Sequence, residues 1–198
     1  MARIGWVSGG CRSGKSDFAL RRVLEFSKKS GAQAVFLATY PRSTDVDHEM
    51  DQRILSHQKS RDPELWKTIE EPLNLQSRIH QLAQVSKPWA VVVDCVSLWV
   101  SNLLFQNQGS NGAFGEAQIA EECQKVLDEC QKLQGLICFV SSEVGLGIVP
   151  ESSLGRVYRD LLGRANQVIA AQSDEAFFLV SGLPLQLKSS PLSGRTLE

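Results

Sequence analysis

Unbroken apolar runs alternate along this chain with longer stretches in which apolar residues recur at helical spacing. Runs of the first kind are typical of strands covered on both faces of a parallel sheet, and they predict strands at 3–8, 34–39, 89–94 and 136–142. The helical spacing predicts helices at 17–28, 47–60, 73–85, 98–106, 116–134 and 154–171. Strands that alternate with helices in this way indicate a three-layer α/β domain with a mostly parallel central sheet.

The C-terminal part of the pattern differs from the rest. Two short strands at 176–181 and 183–188 flank the turn sequence Gly182-Leu183-Pro184, which predicts an antiparallel hairpin. We expect one catalytic domain over 1–188, followed by a polar tail at 189–198 that is disordered. Gly31 is expected to end the first helix, because glycine readily adopts the left-handed conformation found at helix C-termini.

Composition narrows the class of protein further. The 198 residues carry 21 basic and 22 acidic side chains, for a net charge of −1, which argues against nucleic-acid or anionic-membrane binding. No apolar run approaches the length of a membrane span, and the first residues lack the pattern of a signal peptide. The five cysteines form no CxxC pair, so neither a disulfide framework nor a zinc site is indicated. We therefore expect a cytoplasmic protein without a transmembrane segment.

The first candidate site is a glycine-rich loop between the first predicted strand and helix. Its sequence matches GxxxxGK[ST] at every fixed position, which is the phosphate-binding P-loop pattern. Glycines let backbone N–H groups converge on phosphate oxygens, Lys15 would reach the terminal phosphates, and the Ser16 hydroxyl would hold Mg²⁺. The alternative is a chance glycine-rich turn. The candidate nucleotide-binding residues here are Gly9, Gly10, Cys11, Arg12, Ser13, Gly14, Lys15 and Ser16.

Asp94 closes the third predicted strand. In a P-loop protein an acidic residue at such a strand end binds Mg²⁺ directly or through water, so Asp94 is the second candidate metal ligand. The alternative is an aspartate that merely starts a turn.

A third candidate lies in the predicted helix 47–60. At helical spacing Glu49, Arg53, His57 and Arg61 fall on one face. Two flanking guanidinium groups disfavour the imidazolium form, so the ring of His57 is expected to be neutral and nucleophilic. The alternative is a solvated helical face with ordinary ion pairs. His48 has no such setting, and neither has His80; both are interpreted as surface or structural residues.

Seven segments, taken in their order along the chain, together resemble a known family. They are the glycine loop, Arg53-Ile54-x-x-His57 with Arg61, 66–70, 94–104, 143–150, 155–160 and 163–167. This set closely resembles the bifunctional adenosylcobinamide kinase/adenosylcobinamide-phosphate guanylyltransferase family of cobalamin biosynthesis, over residues 4–188. The resemblance implies a RecA-like P-loop NTPase fold and a homo-oligomer, often a trimer.

The resemblance also implies two reactions on a corrinoid small molecule. A nucleoside triphosphate (ATP or GTP) phosphorylates adenosylcobinamide, and GMP is then transferred from GTP through a guanylyl-histidine, which releases pyrophosphate. The family's catalytic histidine falls on His57, and Mg²⁺ accompanies the nucleotides. Further nucleotide contacts carry over to Ala38, Thr39, Tyr40, Gln58, Lys59, Ser60, Arg61, Glu70 and Asp94. The chain departs from some members in having Ser56 in place of a second histidine, and Asp94 in place of a glutamate.

Two alternative functions and the role of one further segment stay open. One is a P-loop kinase of another small alcohol, and another is a nucleotide-dependent regulatory switch, which would need no arginine-flanked histidine. Segment 143–150 is interpreted either as a mobile element near the corrinoid or a subunit contact, or as a tight strand-to-helix connection.

Overall fold

The computed structural model describes residues 1–40, 62–108 and 114–189. In chain order its elements are β1 (Ala2–Gly9), α1 (Lys15–Ser30), β2 (Gln33–Ala38), β3 (Trp66–Glu70), α2 (Leu75–Ala83), β4 (Trp89–Asp94), α3 (Val96–Gln106), α4 (Glu116–Lys132), β5 (Gly135–Ser142), α5 (Ser153–Gln172), β6 (Glu175–Val180) and β7 (Leu183–Lys188).

One seven-stranded sheet organises these elements, with the strand order β3-β2-β4-β5-β1-β6-β7. All neighbouring strands run parallel except β6 and β7, which form the antiparallel hairpin expected from the sequence. The three-layer α/β class and the C-terminal hairpin are thereby confirmed. Because the parallel strands share one direction, their carboxyl ends meet at one edge of the sheet, where open α/β sheets bind their ligands.

Helices cover the two faces of the sheet unequally. Ala19 and Val23 of α1 are fully buried against one face. The other four helices that the structure describes bury apolar residues in the larger cluster on the opposite face, including Leu75, Ile119 and Leu161. The strands between the layers are apolar on both sides, as the unbroken runs predicted, and Val91 to Val93 are fully buried.

Strand β3 was not predicted from the pattern. It occupies the outer edge beside β2, and only Trp66 among its residues is buried, whereas Lys67 and Thr68 are exposed. An edge strand with one buried anchor lacks the continuous apolar run that marks the inner strands, so its pairing with β2 depends on tertiary contacts.

Most helix boundaries lie within two residues of those expected. Gly31 follows α1 with φ 70°, which confirms the predicted C-terminal glycine. The predicted helix 47–60 lies outside the described residues, as do all but the first position of the predicted tail 189–198. Within the described part of the chain, no helix is long and apolar enough to cross a membrane.

Candidate functional site

The glycine loop occupies the carboxyl end of β1 and leads directly into α1. The loop starts at Gly9, the last residue of β1, and α1 begins at Lys15, so strand, loop and helix follow in the order that the motif requires. Such a loop directs its backbone N–H groups, together with the positive end of the helix dipole, at one point beyond the sheet edge. The arrangement is suited to a phosphate chain.

Two loop positions favour glycine, Gly9 for steric reasons and Gly14 for its backbone conformation. A Cβ on Gly9 would lie 2.5 Å from Ser13 Oγ and 2.6 Å from the Leu179 carbonyl oxygen. Gly14 has φ 85°, in the left-handed region, and a Cβ there would lie 3.3 Å from the Cα of Gly182. The glycines therefore hold the loop close to the body of the domain.

The β6–β7 turn supports the loop from its outer side. The Gly182 N–H donates to the Ser13 carbonyl at 2.9 Å, and Gly182 itself has φ 83°. The side chain of Ser13 is buried, and its hydroxyl has no hydrogen-bond partner among the described residues. Sequence reasoning identified this turn but gave no signal that it would touch a loop so distant in the chain.

Lys15 and Ser16 stand in the first turn of α1, and both are partly exposed. The Lys15 ammonium donates to the Gly10 carbonyl at 3.2 Å, so the side chain lies back along the loop rather than extending into solvent. Cys11 and Arg12 are exposed at the tip of the loop, and Arg12 has φ 54°.

The other predicted carboxyl-end residues lie side by side across three neighbouring strands. Ala38 ends β2 and is in register with Asp94 of β4 on one side and with Glu70 of β3 on the other. Strand β5 separates Asp94 from the glycine loop: Val140 is in register with Asp94, and Ser142 with Gly9. The fold thus brings the two candidate Mg²⁺ ligands, Ser16 and Asp94, to the same edge of the sheet.

A buried hydrogen-bond cluster, which we call the Thr39 junction, ties β2 to the start of α3. The Thr39 hydroxyl donates to the Cys95 carbonyl and accepts from the Cys95 N–H, both at 2.8 Å. The Asn102 side-chain amide donates to the carbonyls of Thr39, at 2.8 Å, and Pro72, at 2.9 Å. Thr39 was predicted to contact the nucleotide. Its side chain is fully buried, and its hydroxyl is hydrogen-bonded to the backbone of Cys95.

Burial sets the protonation of two further groups beside this edge. Burial of the Cys95 thiol, aided by the adjacent Asp94 carboxylate, raises its pKa to about 11. Burial likewise raises the pKa of Tyr158, whose hydroxyl donates to the Ser97 carbonyl at 3.2 Å, to about 12. Both groups are therefore protonated at neutral pH, and neither is suited to act as a general base there.

The structure does not describe every predicted residue. His57 and the predicted nucleotide contacts Gln58, Lys59, Ser60 and Arg61 lie outside the described residues. Tyr40 is half-buried and Glu70 exposed at the same edge, and each makes a side-chain or electrostatic interaction within the chain.

His80 lies on α2, where its Nδ1 is 3.0 Å from a carboxylate oxygen of Glu129 on α4. This helix-to-helix contact is consistent with its interpretation as a surface or structural residue.

Known proteins are similar to this chain over nearly its whole length. A family model described as "CobU: Cobinamide kinase / cobinamide phosphate guanyltransferase" matches residues 6–187. The bifunctional adenosylcobalamin biosynthesis protein CobU of Escherichia coli is 37% identical over 188 residues, covering 92% of this chain and 98% of that protein. The bifunctional adenosylcobalamin biosynthesis protein CobP of Pseudomonas aeruginosa is 38% identical over 186 residues, covering 94% of this chain and 98% of its own length.

Proposed function

This chain belongs to the cobinamide kinase / cobinamide phosphate guanyltransferase family, and we propose that it carries out both reactions. In the first, the aminopropanol hydroxyl of adenosylcobinamide attacks the γ-phosphorus of a nucleoside triphosphate. The hydroxyl proton is lost, and the nucleoside diphosphate leaves. In the second, GMP passes from GTP to the phosphorylated corrinoid. The single observation that carries the proposal is the glycine loop at the head of α1, placed at the carboxyl edge of the sheet within a chain of this family.

The triphosphate is proposed to lie over the glycine loop. The N–H groups of Gly10 to Ser16 and the amino end of α1 supply positive potential for the phosphate oxygens. The Lys15 ammonium, now on the Gly10 carbonyl, is within the loop and needs only a side-chain rotation to reach phosphate.

Mg²⁺ fits the donor atoms at this edge. The Ser16 hydroxyl and the Asp94 carboxylate are hard oxygen ligands, which Mg²⁺ prefers, and phosphate oxygens and water ordinarily complete its octahedron. Among the described residues, no group of three or more His, Cys, Asp or Glu side chains could hold a metal alone. A nucleotide-dependent Mg²⁺ site with few protein ligands is consistent with that finding. The ion would neutralise charge on the phosphates during transfer.

His57 is proposed as the nucleophile of the second reaction. A neutral imidazole nitrogen of His57 attacks the α-phosphorus of GTP, a P–N bond forms, and the bond to the bridging oxygen breaks as pyrophosphate leaves. A phosphate oxygen of the corrinoid product then attacks the same phosphorus, which breaks the P–N bond and regenerates the imidazole. The flanking Arg53 and Arg61, expected from the helical spacing, would hold the ring neutral and stabilise the developing charge.

The decisive experiment uses His57→Ala with His48→Ala as its matched control, since both histidines lie in one segment. Each protein is incubated with GTP alone and examined by intact-mass spectrometry for a GMP adduct. Each is then given ATP, GTP and adenosylcobinamide, and the products are separated by chromatography. His57→Ala should form no adduct and stop at adenosylcobinamide phosphate, whereas His48→Ala should behave as the parent chain. A normal adduct on His57→Ala would contradict the assignment.

We propose a homo-oligomer, with a trimer as the form that the resemblance implies, and one uncovered face of the β6–β7 hairpin supports the association of copies. Val180 pairs with Leu183, and Phe178 with Leu185, so these four side chains share a face. Val180, Leu183 and Leu185 are 55%, 73% and 58% exposed. A broad apolar sheet face is normally covered by another layer, and a second copy of the chain would provide one.

A further inference from the structure

A second exposed apolar surface lies on the connection from β5 to α5. Leu146 and Ile148 are 81% and 96% exposed, and Val149 is 58% exposed. Val144 begins this surface, and Leu154 and Val157 extend it onto the first turns of α5. We call these six residues the apolar arc. Contiguous exposed apolar residues mark interaction sites more often than isolated ones do.

The arc is held in place at both ends. At its start the Glu143 N–H donates to the Gly9 carbonyl at 3.0 Å, and the Glu143 carboxylate accepts from the Gly145 N–H at 2.6 Å. At its end the Arg156 guanidinium donates to the carbonyls of Pro150, at 2.9 Å, and Glu151, at 2.6 Å. The exposed side chains are therefore presented by an anchored connection, whose first residue is bonded to the glycine loop.

The position of the arc distinguishes it from the uncovered hairpin face. Strand β5 lies between β1, which carries the glycine loop, and β4, which ends in Asp94. The connection that leaves β5 therefore emerges between the proposed phosphate site and the proposed Mg²⁺ ligand. The arc therefore begins beside both groups, whereas the β6–β7 hairpin lies beyond β1, on the side away from Asp94.

We propose that the apolar arc binds the corrin ring of the acceptor substrate. The inference rests on the proposed function and specifies it further. A corrin is a broad macrocycle with methyl groups and amide side chains on its rim, and its aminopropanol arm carries the hydroxyl to be phosphorylated. The glycine loop offers backbone N–H groups and cations, which suit the nucleotide but not an apolar ring. The leucine, isoleucine and valine side chains of the arc supply the missing apolar contact beside it.

The test replaces Leu146 and Ile148 together by serine in the full chain. The matched control is Val85→Ser with Leu65→Ser, because these residues are 49% and 41% exposed and precede the amino ends of β4 and β3, away from the carboxyl edge of the sheet. Three quantities are measured: the Kd for adenosylcobinamide by absorbance titration, the GMP adduct formed from GTP alone, and the molar mass in solution. The arc variant should weaken corrinoid binding by about tenfold or more, because two apolar contacts are lost. Its adduct yield and molar mass should match those of the parent chain and the control.

Each other outcome overturns the assignment in a recognisable way. An unchanged Kd with a normal adduct refutes the arc alone and leaves the proposed function standing. A lower molar mass shows that the arc is instead a contact between copies of the chain. Loss of both the adduct and corrinoid binding shows that the arc shapes the nucleotide site. A parent chain that neither binds nor phosphorylates adenosylcobinamide refutes the proposed function, and the arc assignment with it.

Discussion

The glycine loop and the Thr39 junction lie at the same edge of one sheet, but they are built in different ways. The loop depends on backbone geometry: Gly9 approaches the Leu179 carbonyl too closely for a Cβ, and Gly14 adopts a left-handed conformation that favours glycine. The junction is held by side chains, with the Thr39 hydroxyl and the Asn102 amide closing hydrogen bonds to three stretches of backbone. Backbone geometry thus shapes the phosphate site, and side-chain polarity fixes the neighbouring strand ends.

This contrast has a functional consequence. A loop whose donors are backbone N–H groups can bind any phosphate chain, because its recognition does not depend on side-chain identity. Thr39 binds the Asp94 carbonyl through its N–H and the Cys95 backbone through its hydroxyl, which leaves no hydroxyl hydrogen free on Thr39. We therefore expect the loop to govern nucleotide affinity and the junction to govern the placement of Asp94.

The largest expected effect on stability and nucleotide binding comes from a substitution at Gly9. In Gly9→Ala the added Cβ would meet Ser13 and Leu179 well inside contact distance, so we expect a loss of about 3 kcal/mol in the free energy of unfolding and severely weakened GTP binding. Gly10→Ala is the matched control, because a Cβ there meets no described atom within 4 Å, and its stability should change by less than about 0.5 kcal/mol. Urea unfolding and nucleotide titration measure both. Equal effects of the two substitutions would mean that loop flexibility, not close approach, requires glycine at these positions.

A smaller effect is expected at the Thr39 junction. Asn102→Leu removes both amide donors from the Thr39 and Pro72 carbonyls and should cost about 2 kcal/mol in unfolding free energy. Gln106→Leu, at an exposed position of the same helix, should change it by less than about 0.5 kcal/mol. If Asn102→Leu proved as stable as Gln106→Leu, the junction would not brace the strand ends.

The smallest expected effect is on the rate of cysteine labelling. The glycine loop and the Thr39 junction each contain one cysteine. Cys11 is exposed in the glycine loop, whereas burial raises the pKa of the Cys95 thiol at the junction to about 11. Because only the thiolate reacts readily, Cys95 remains protonated and unreactive at pH 8 and would gain reactivity only as the pH approaches 11. Maleimide labelling at pH 8, followed by peptide mass mapping, should modify Cys11 before Cys95. Saturating GTP should slow labelling at Cys11 only; rapid labelling at Cys95, or no protection of Cys11, would contradict the two placements.

The sequence by itself determined the layered α/β class, the inner strands and the glycine loop, and it identified the family of the protein. Each of these leaves a local signature: an unbroken apolar run, a helical period, or glycines at fixed spacing before Lys15 and Ser16. The position of Asp94 at a strand end was predictable for the same reason, because a carboxylate that closes a buried apolar run is visible within a few residues; its role as a metal ligand stays a prediction.

Only the tertiary structure decided how distant segments meet. Gly182 touches a loop near the other end of the chain, and Asn102 reaches Thr39 across 63 positions. Strand β3 has a single buried residue, and its pairing follows from the neighbouring β2 rather than from its own pattern. Such contacts arise from packing between elements. Neither the spacing of apolar residues nor a motif within either segment predicts them.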